Sequence, residues 1–171
     1  MAESEIRENG GTPAFKGYRG FPATLCISLN DEIVHGIPSR EVRLAEGDVV
    51  SVDCGVLLDG FYGDAAVTFG VGSTSAEAER LMEVTRQSLD LAVEQVRPGN
   101  ALSDIGHAVE EHVVANGFSV VREFVGHGIG RSLHEEPQVP NYGKAGHGQR
   151  GEPPGGDPRL AVARVGMPRC R

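Results

Sequence analysis

The sequence predicts an α+β fold built on an antiparallel sheet, and two observations carry that reading. Residues 48–70 alternate as two strands around Asp59-Gly60, a dipeptide that favours a two-residue hairpin loop. Directly after them, residues 74–96 and 102–116 repeat apolar side chains at helical spacing.

Taken in order, Met1 to Gly11 reads as the end of a helix. Ser4 to Asn9 favours helix, and Gly10-Gly11 stops it. So short a helix at the start is expected to be the remnant of a longer one. Thr24-Leu25-Cys26-Ile27-Ser28-Leu29 has the composition of a strand, Asn30-Asp31 marks a turn, and Glu32 to His35 leads out of it. In the hairpin, pairing of Leu58 with Phe61 sets Asp53 opposite Ala66. Asp64 then lies diagonally across from Asp53 on the same face, roughly 7–8 Å away. A slip of one residue would put the two aspartates on opposite faces.

Thr74 and Glu77 are spaced as a capping box for the first helix, whose apolar face reads Leu81, Val84, Thr85, Leu89 and Val93. Arg97-Pro98-Gly99-Asn100 ends it. The second helix places Leu102, Ile105, Val109 and Val113 on one face, with Gly117 as its C′ residue. Phe118 to Phe124 is expected as a short strand feeding Gly126-His127-Gly128. From His147 the chain is rich in Gly, Pro and Arg without periodicity, which predicts an irregular or disordered tail. Two regions follow: a domain over residues 1–145 and a tail over residues 146–171.

At 171 residues the chain is long enough for one ordinary domain with a real core. Glycine, 24 of 171 or about 14%, is twice its usual share, so close backbone approaches are expected. A net charge of −8 argues against a nucleic-acid partner. No apolar run nears the length of a membrane span, and the polar, acidic first residues do not resemble a secretory signal. Cys26, Cys54 and Cys170 are odd in number and lack C-x-x-C spacing, which fits a reduced, cytoplasmic protein.

Three segments carry the chemistry. They are Val34-His35-Gly36-Ile37-Pro38, the pair Asp53 and Asp64, and Gly126-His127-Gly128-Ile129-Gly130-Arg131-Ser132-Leu133-His134-Glu135-Glu136-Pro137. A carboxylate inside a Val-Asp-Cys strand needs a cation or strong donors, and a second one on the same face repels it. A divalent metal answers both needs, and hard carboxylate oxygens suit such ions. Each segment alone equally fits a plain turn, an exposed aspartate or a satisfied loop histidine. Together they supply ligands plus imidazoles able to hold and polarise a carbonyl. His107 and His112, five apart on a helix, lack the same-face spacing of a metal pair and read as surface residues.

The run Phe15 to Asn30, the His35 motif, both aspartate motifs and the block from Gly126 to Lys144 together resemble the type I methionine aminopeptidases. The resemblance covers roughly residues 10–145. It implies the pita-bread fold, an antiparallel sheet with helices on one face. It implies removal of the initiator methionine when the second residue is small. The reagent in that family is a water or hydroxide bridging two divalent ions, variously cobalt, manganese, iron or zinc. By motif, Asp53, Asp64 and His127 resemble metal ligands, with Asp64 bridging. His134 resembles the residue that stabilises the tetrahedral intermediate, and His35 the one that contacts the scissile peptide. Tyr18, Phe21, Cys26 and Leu133 match the pocket for the methionine side chain, where an apolar, adaptable lining suits a thioether. The partners implied are nascent N-termini at the ribosome, with the enzyme a monomer.

The chain departs from that family in two places. The family's two glutamate ligands, one in a strand ending Ile-Glu-Pro and one near the C-terminus, have no counterpart; Glu152 is the tail's only glutamate. Their loss would weaken metal binding. The family's first helices are mostly absent before Met1, which would leave an exposed sheet edge and apolar face. The expectation is a chain shortened at both ends, with a tail translated out of frame. Two other readings stand beside the enzyme: a pita-bread binding protein without catalysis, and a relative cleaving before proline. Retention of every ligand within the matched region favours the enzyme lineage, and Phe15 to Asn30 the methionine branch.

Overall fold

The computed structural model describes residues 1–148 and 150. Contacts divide it into two units, residues 1–79 with 129–133, and residues 80–128 with those from 134 onward.

The first unit opens with helix α1, Ala2–Glu8, where Glu3 and Arg7 pair one turn apart at 3.0 Å. Glu3 also reaches Lys16 at 2.8 Å, so the short helix is tied to the chain that follows. Strands β1 (Thr12–Pro13), β2 (Leu25–Leu29), β3 (Val49–Leu58) and β4 (Phe61–Gly70) form one antiparallel sheet. A single 3-10 turn, Tyr18–Gly20, stands between β1 and β2. β3 pairs along its whole length with β4, over Val50 to Cys54 with β2, and over Val56-Leu57 with β1. The hairpin register is the expected one: Leu58 faces Phe61 and Asp53 faces Ala66. Asp59 (φ 50°) and Gly60 (φ 80°) both take the left-handed conformation of a two-residue turn that matches strand twist. The other face of the hairpin leaves Val67 and Phe69 exposed.

The second unit holds helices α2, Ala76–Glu94, and α3, Leu102–Ala115, followed by β5, Gly126–Gly128, and β6, Glu135–Val139. Its core joins Val84 and Ala92 of α2 to Ile105, Val109 and Val113 of α3, with Phe118 and Val139. Four details differ from the sequence reading. The cap of α2 is Ser75 rather than Thr74: its Oγ accepts from the Ala78 amide at 3.1 Å. The buried face of α2 runs through Val84, Ser88 and Ala92, and leaves Val93 54% exposed. A serine can occupy that face because its hydroxyl donates to Thr85 O at 2.7 Å within its own helix.

The expected strand over residues 118–124 does not form. There the Arg122 amide donates to the Glu123 carboxylate, and its guanidinium pairs with Glu110 and lies 4.4 Å over the Tyr142 ring. The Arg122 backbone donor is thus taken by a side chain rather than by a ladder. Nor are the two α3 histidines simply on the surface. His107 is half-buried, and His112 Nε2 is buried with no hydrogen-bond partner among the described residues.

Beyond β6 the chain returns to the start of α3. Gly146 N donates to Asp104 at 2.6 Å, His147 N donates to Ser103 Oγ at 2.8 Å, and Arg150 donates to Gly99 O at 3.1 Å. Two backbone bonds hold the Asp104 carboxyl below its usual range, Gly146 first and then Ala101. The remainder of the expected irregular tail, residues 149 and 151–171, lies outside the described residues. Among the described residues no helix is long and apolar enough to cross a membrane.

Candidate active site

In the first unit the sheet register brings the two aspartates to one face. Asp53 pairs with Cys26 on one side and Ala66 on the other. Asp64 pairs with Gly55, so it stands one diagonal step from Asp53. Asp53 is only 3% exposed and Asp64 half-buried. Their combined field registers on a neighbour: the Cys54 thiol is pushed up, first by burial, then by the Asp53 and Asp64 charges.

One row further along the sheet, Ser28, Ser51 and Thr68 stand side by side on three strands. Ser51 and Thr68 hydroxyls lie 2.7 Å apart. The Ser28 hydroxyl instead accepts from the Gly36 amide at 3.1 Å. Gly36 O takes the Ile27 amide at 2.9 Å, and a Cβ on Gly36 would sit 2.1 Å from Ile27 O, so only glycine allows this approach. The residue just before it, His35, is exposed and left-handed, φ 62°.

The four residues matched to a methionine pocket come together. Cys26 and Leu133 form one buried apolar cluster with Phe15 and Ile129, and Tyr18, Phe21 and Tyr62 pack against it. Gly55 makes room for Phe15, since a Cβ there would lie 2.4 Å from the ring. The segment that carries Leu133 is held by Tyr62 N donating to Gly130 O at 2.7 Å, and Arg131 lies 4.7 Å over the Phe61 ring.

In the second unit β5 and β6 pair antiparallel, with a register shift after His127. His127 is half-buried and His134 exposed, and their rings stand 4.1 Å apart. His127 Nδ1 lies 2.8 Å from Gly128 O. A carbonyl only accepts, so Nδ1 carries the proton and a neutral ring keeps its lone pair on Nε2. Metal-ligating histidines are commonly oriented in this way.

The aspartate pair of the first unit is chemically suited to a hard divalent ion. Among the described residues no group of three or more His, Cys, Asp or Glu is placed to hold a metal ion. What the first unit offers is the aspartate pair alone.

Sequence reasoning did not single out Ser28, Phe15, Ile129 or Tyr62. Ser28 and Tyr62 carried a findable signal, because each falls on the Asp53 face once the register is known.

The model of "Metallopeptidase family M24" matches residues 1–158. The chain is 51% identical over 150 residues to a methionine aminopeptidase of Clostridium acetobutylicum, covering 88% of this chain and 60% of that protein. It is 47% identical over 153 residues to methionine aminopeptidase 1 of Bacillus subtilis, covering 90% and 61%. The crystal structure of a methionine aminopeptidase from Thermotoga maritima superposes with a TM-score of 0.85 at 46% identity, over 87% of this chain and 60% of that one. The chain thus spans about three fifths of the length of the curated relatives it matches. The α+β, pita-bread architecture expected from the sequence is the one found, and with the match over residues 1–158 the chain belongs to metallopeptidase family M24.

Proposed function

We propose that this protein removes the N-terminal methionine from polypeptides with a small second residue, in a metal-dependent hydrolysis. The observation that carries the reading is the hairpin register, which sets Asp53 and Asp64 on one face as diagonal neighbours. Asp53, Asp64 and His127 would hold the ions. Bound divalent metal supplies an acidified water and a polarised carbonyl.

The chain's own residues do the remaining work in this reading. The cluster of Tyr18, Phe21, Cys26 and Leu133 receives the methionine side chain and excludes water from it. His35 orients the peptide to be cut. His134, beside His127, donates to the oxygen on which negative charge develops. The substrates are N-termini of new chains at the ribosome, in the cytoplasm, and the protein works as a monomer.

The test is hydrolysis of Met-Ala-Ser by the purified chain with added cobalt or manganese, with Asp64→Ala as control. Methionine release that vanishes in the variant is the expected result. No release from a folded chain that binds cobalt overturns the reading.

A further inference from the structure

We propose that Ser28 is a positioning residue for His35, acting through the Gly36 amide. The inference rests on the reading of His35 as the contact to the scissile peptide.

His35 sits in a conformation that side chains with a Cβ rarely adopt, φ 62°, and left alone it would relax to the ordinary regions. Something must hold it, and the bonds on either side show what. At the start of the loop, Asn30 donates to Asp48 at 2.9 Å and accepts from the Val49 amide at 2.9 Å. The Leu29 and Glu32 backbones close a turn at 2.9 Å. The loop is therefore fixed where it leaves β2.

At the return end two bonds act on one residue. Ile27 N donates to Gly36 O, and Gly36 N donates to Ser28 Oγ. Together they fix the two peptide units on either side of the Gly36 Cα against β2. The Gly36 amide is part of the peptide unit that contains the His35 carbonyl, so fixing it sets the His35 ψ. Ser28 is only 2% exposed, and the Gly36–Ser28 bond is buried. An amide that lost this acceptor would have to turn to find water. Ser28 stands two residues along β2 from Cys26, the partner of Asp53, so the hydroxyl that engages the Gly36 amide belongs to the face that carries the aspartates. The neighbouring hydroxyls in the row, Ser51 and Thr68, engage one another and leave this task to Ser28.

The test uses the full chain, 15N- and 13C-labelled, as wild type, Ser28→Ala, Ser28→Cys and Ser28→Thr. Ser28→Ala is expected to speed exchange of the Gly36 amide by about tenfold or more while the β3–β4 amides change little. The His35 Cα shift and HN–Hα coupling should leave the left-handed signature, and Ser28→Thr, which keeps the hydroxyl, should restore it. If Ser28→Ala loosens the whole sheet, the comparison passes to Ser28→Cys, which keeps the volume and weakens the acceptor; it should move His35 alone. His35 signals unchanged in both the Ala and Cys variants would overturn the proposal, whatever the hydrolysis assay shows. Where methionine release is measurable, Ser28→Ala should lower kcat in the wild type and add nothing in a His35→Ala background. Additive losses would also overturn it. A chain with no hydrolysis but a moved His35 would count against the proposed reaction and for the role of Ser28.

Discussion

His127 and His134 hold their rings 4.1 Å apart at a tilt of 37°, and His127 Nδ1 lies 2.8 Å from the Gly128 carbonyl oxygen. In the proposed reading His127 is a metal ligand and His134 a helper. With the Nδ1 proton of His127 directed at Gly128 O, a cation in the proposed reading would be met by Nε2. Nitrogen NMR should show the Nδ1-protonated tautomer of the neutral His127 ring in the metal-free chain. Cobalt should perturb that resonance in wild type and in His134→Ala. His134→Ala should cost on the order of 10²–10³ in turnover without losing metal, as removal of an oxyanion donor does. Loss of cobalt binding in His134→Ala would make it a ligand instead.

Cys54 reports on the aspartate pair. Its thiol is pushed up by burial and by the Asp53 and Asp64 carboxylates, so little of it is thiolate at neutral pH. In a Cys26→Ser, Cys170→Ser background, Asp64→Asn removes one repelling charge. The pH profile of Cys54 alkylation should then shift to lower pH, and the rate at fixed mildly alkaline pH should rise. A saturating divalent cation should have the same effect on the parent and a smaller one on Asp64→Asn. An alkylation profile indifferent to both would mean that the carboxylates do not face this thiol as placed.

The hairpin was legible because two constraints agree. Asp59-Gly60 selects a two-residue turn, and that turn fixes every pairing from Leu58–Phe61 outward, the aspartates included. The face of α2 was less legible, because Ser88 satisfies its hydroxyl within its own helix and so can be buried where an apolar residue was expected. Residues 118–124 carry strand-forming composition, but Glu110, Glu123 and Tyr142 supply partners to Arg122 that no local pattern reveals. The tie between Ser28 and Gly36 was hidden for a similar reason: it spans a loop, and loops erase periodicity.

Gly55 tests the apolar cluster. A Cβ there would lie 2.4 Å from the Phe15 ring, in a buried site with no flexible neighbour to yield. Gly55→Ala should therefore destabilise by about 1–3 kcal/mol through overpacking. Urea unfolding would show a lower midpoint with an unchanged slope. Phe15→Leu in the same chain should recover part of the loss, because the shorter side chain withdraws from the added methyl. Equal losses in both backgrounds would place the strain in the backbone rather than against Phe15.

Glu3 sets a pH dependence at the other end of the sheet. Its carboxyl is lowered from 4.5 to about 2, chiefly by the Lys16 ammonium and then by Arg7, with Thr24 also donating to it. A folded-state value below the unfolded one means that the contribution is fully present above the unfolded pKa. It is lost as pH falls through the folded value. The stability gap between wild type and Glu3→Gln should be constant near neutrality, shrink as pH drops from 4.5 toward about 2, and close below that. Because the group is partly exposed to solvent, added salt should narrow the gap at neutral pH as well. The measurement is urea unfolding at a series of pH values for both proteins. A gap that widens on acidification would reverse the sign, and would mean that Lys16 and Arg7 do not hold this carboxylate in the folded chain.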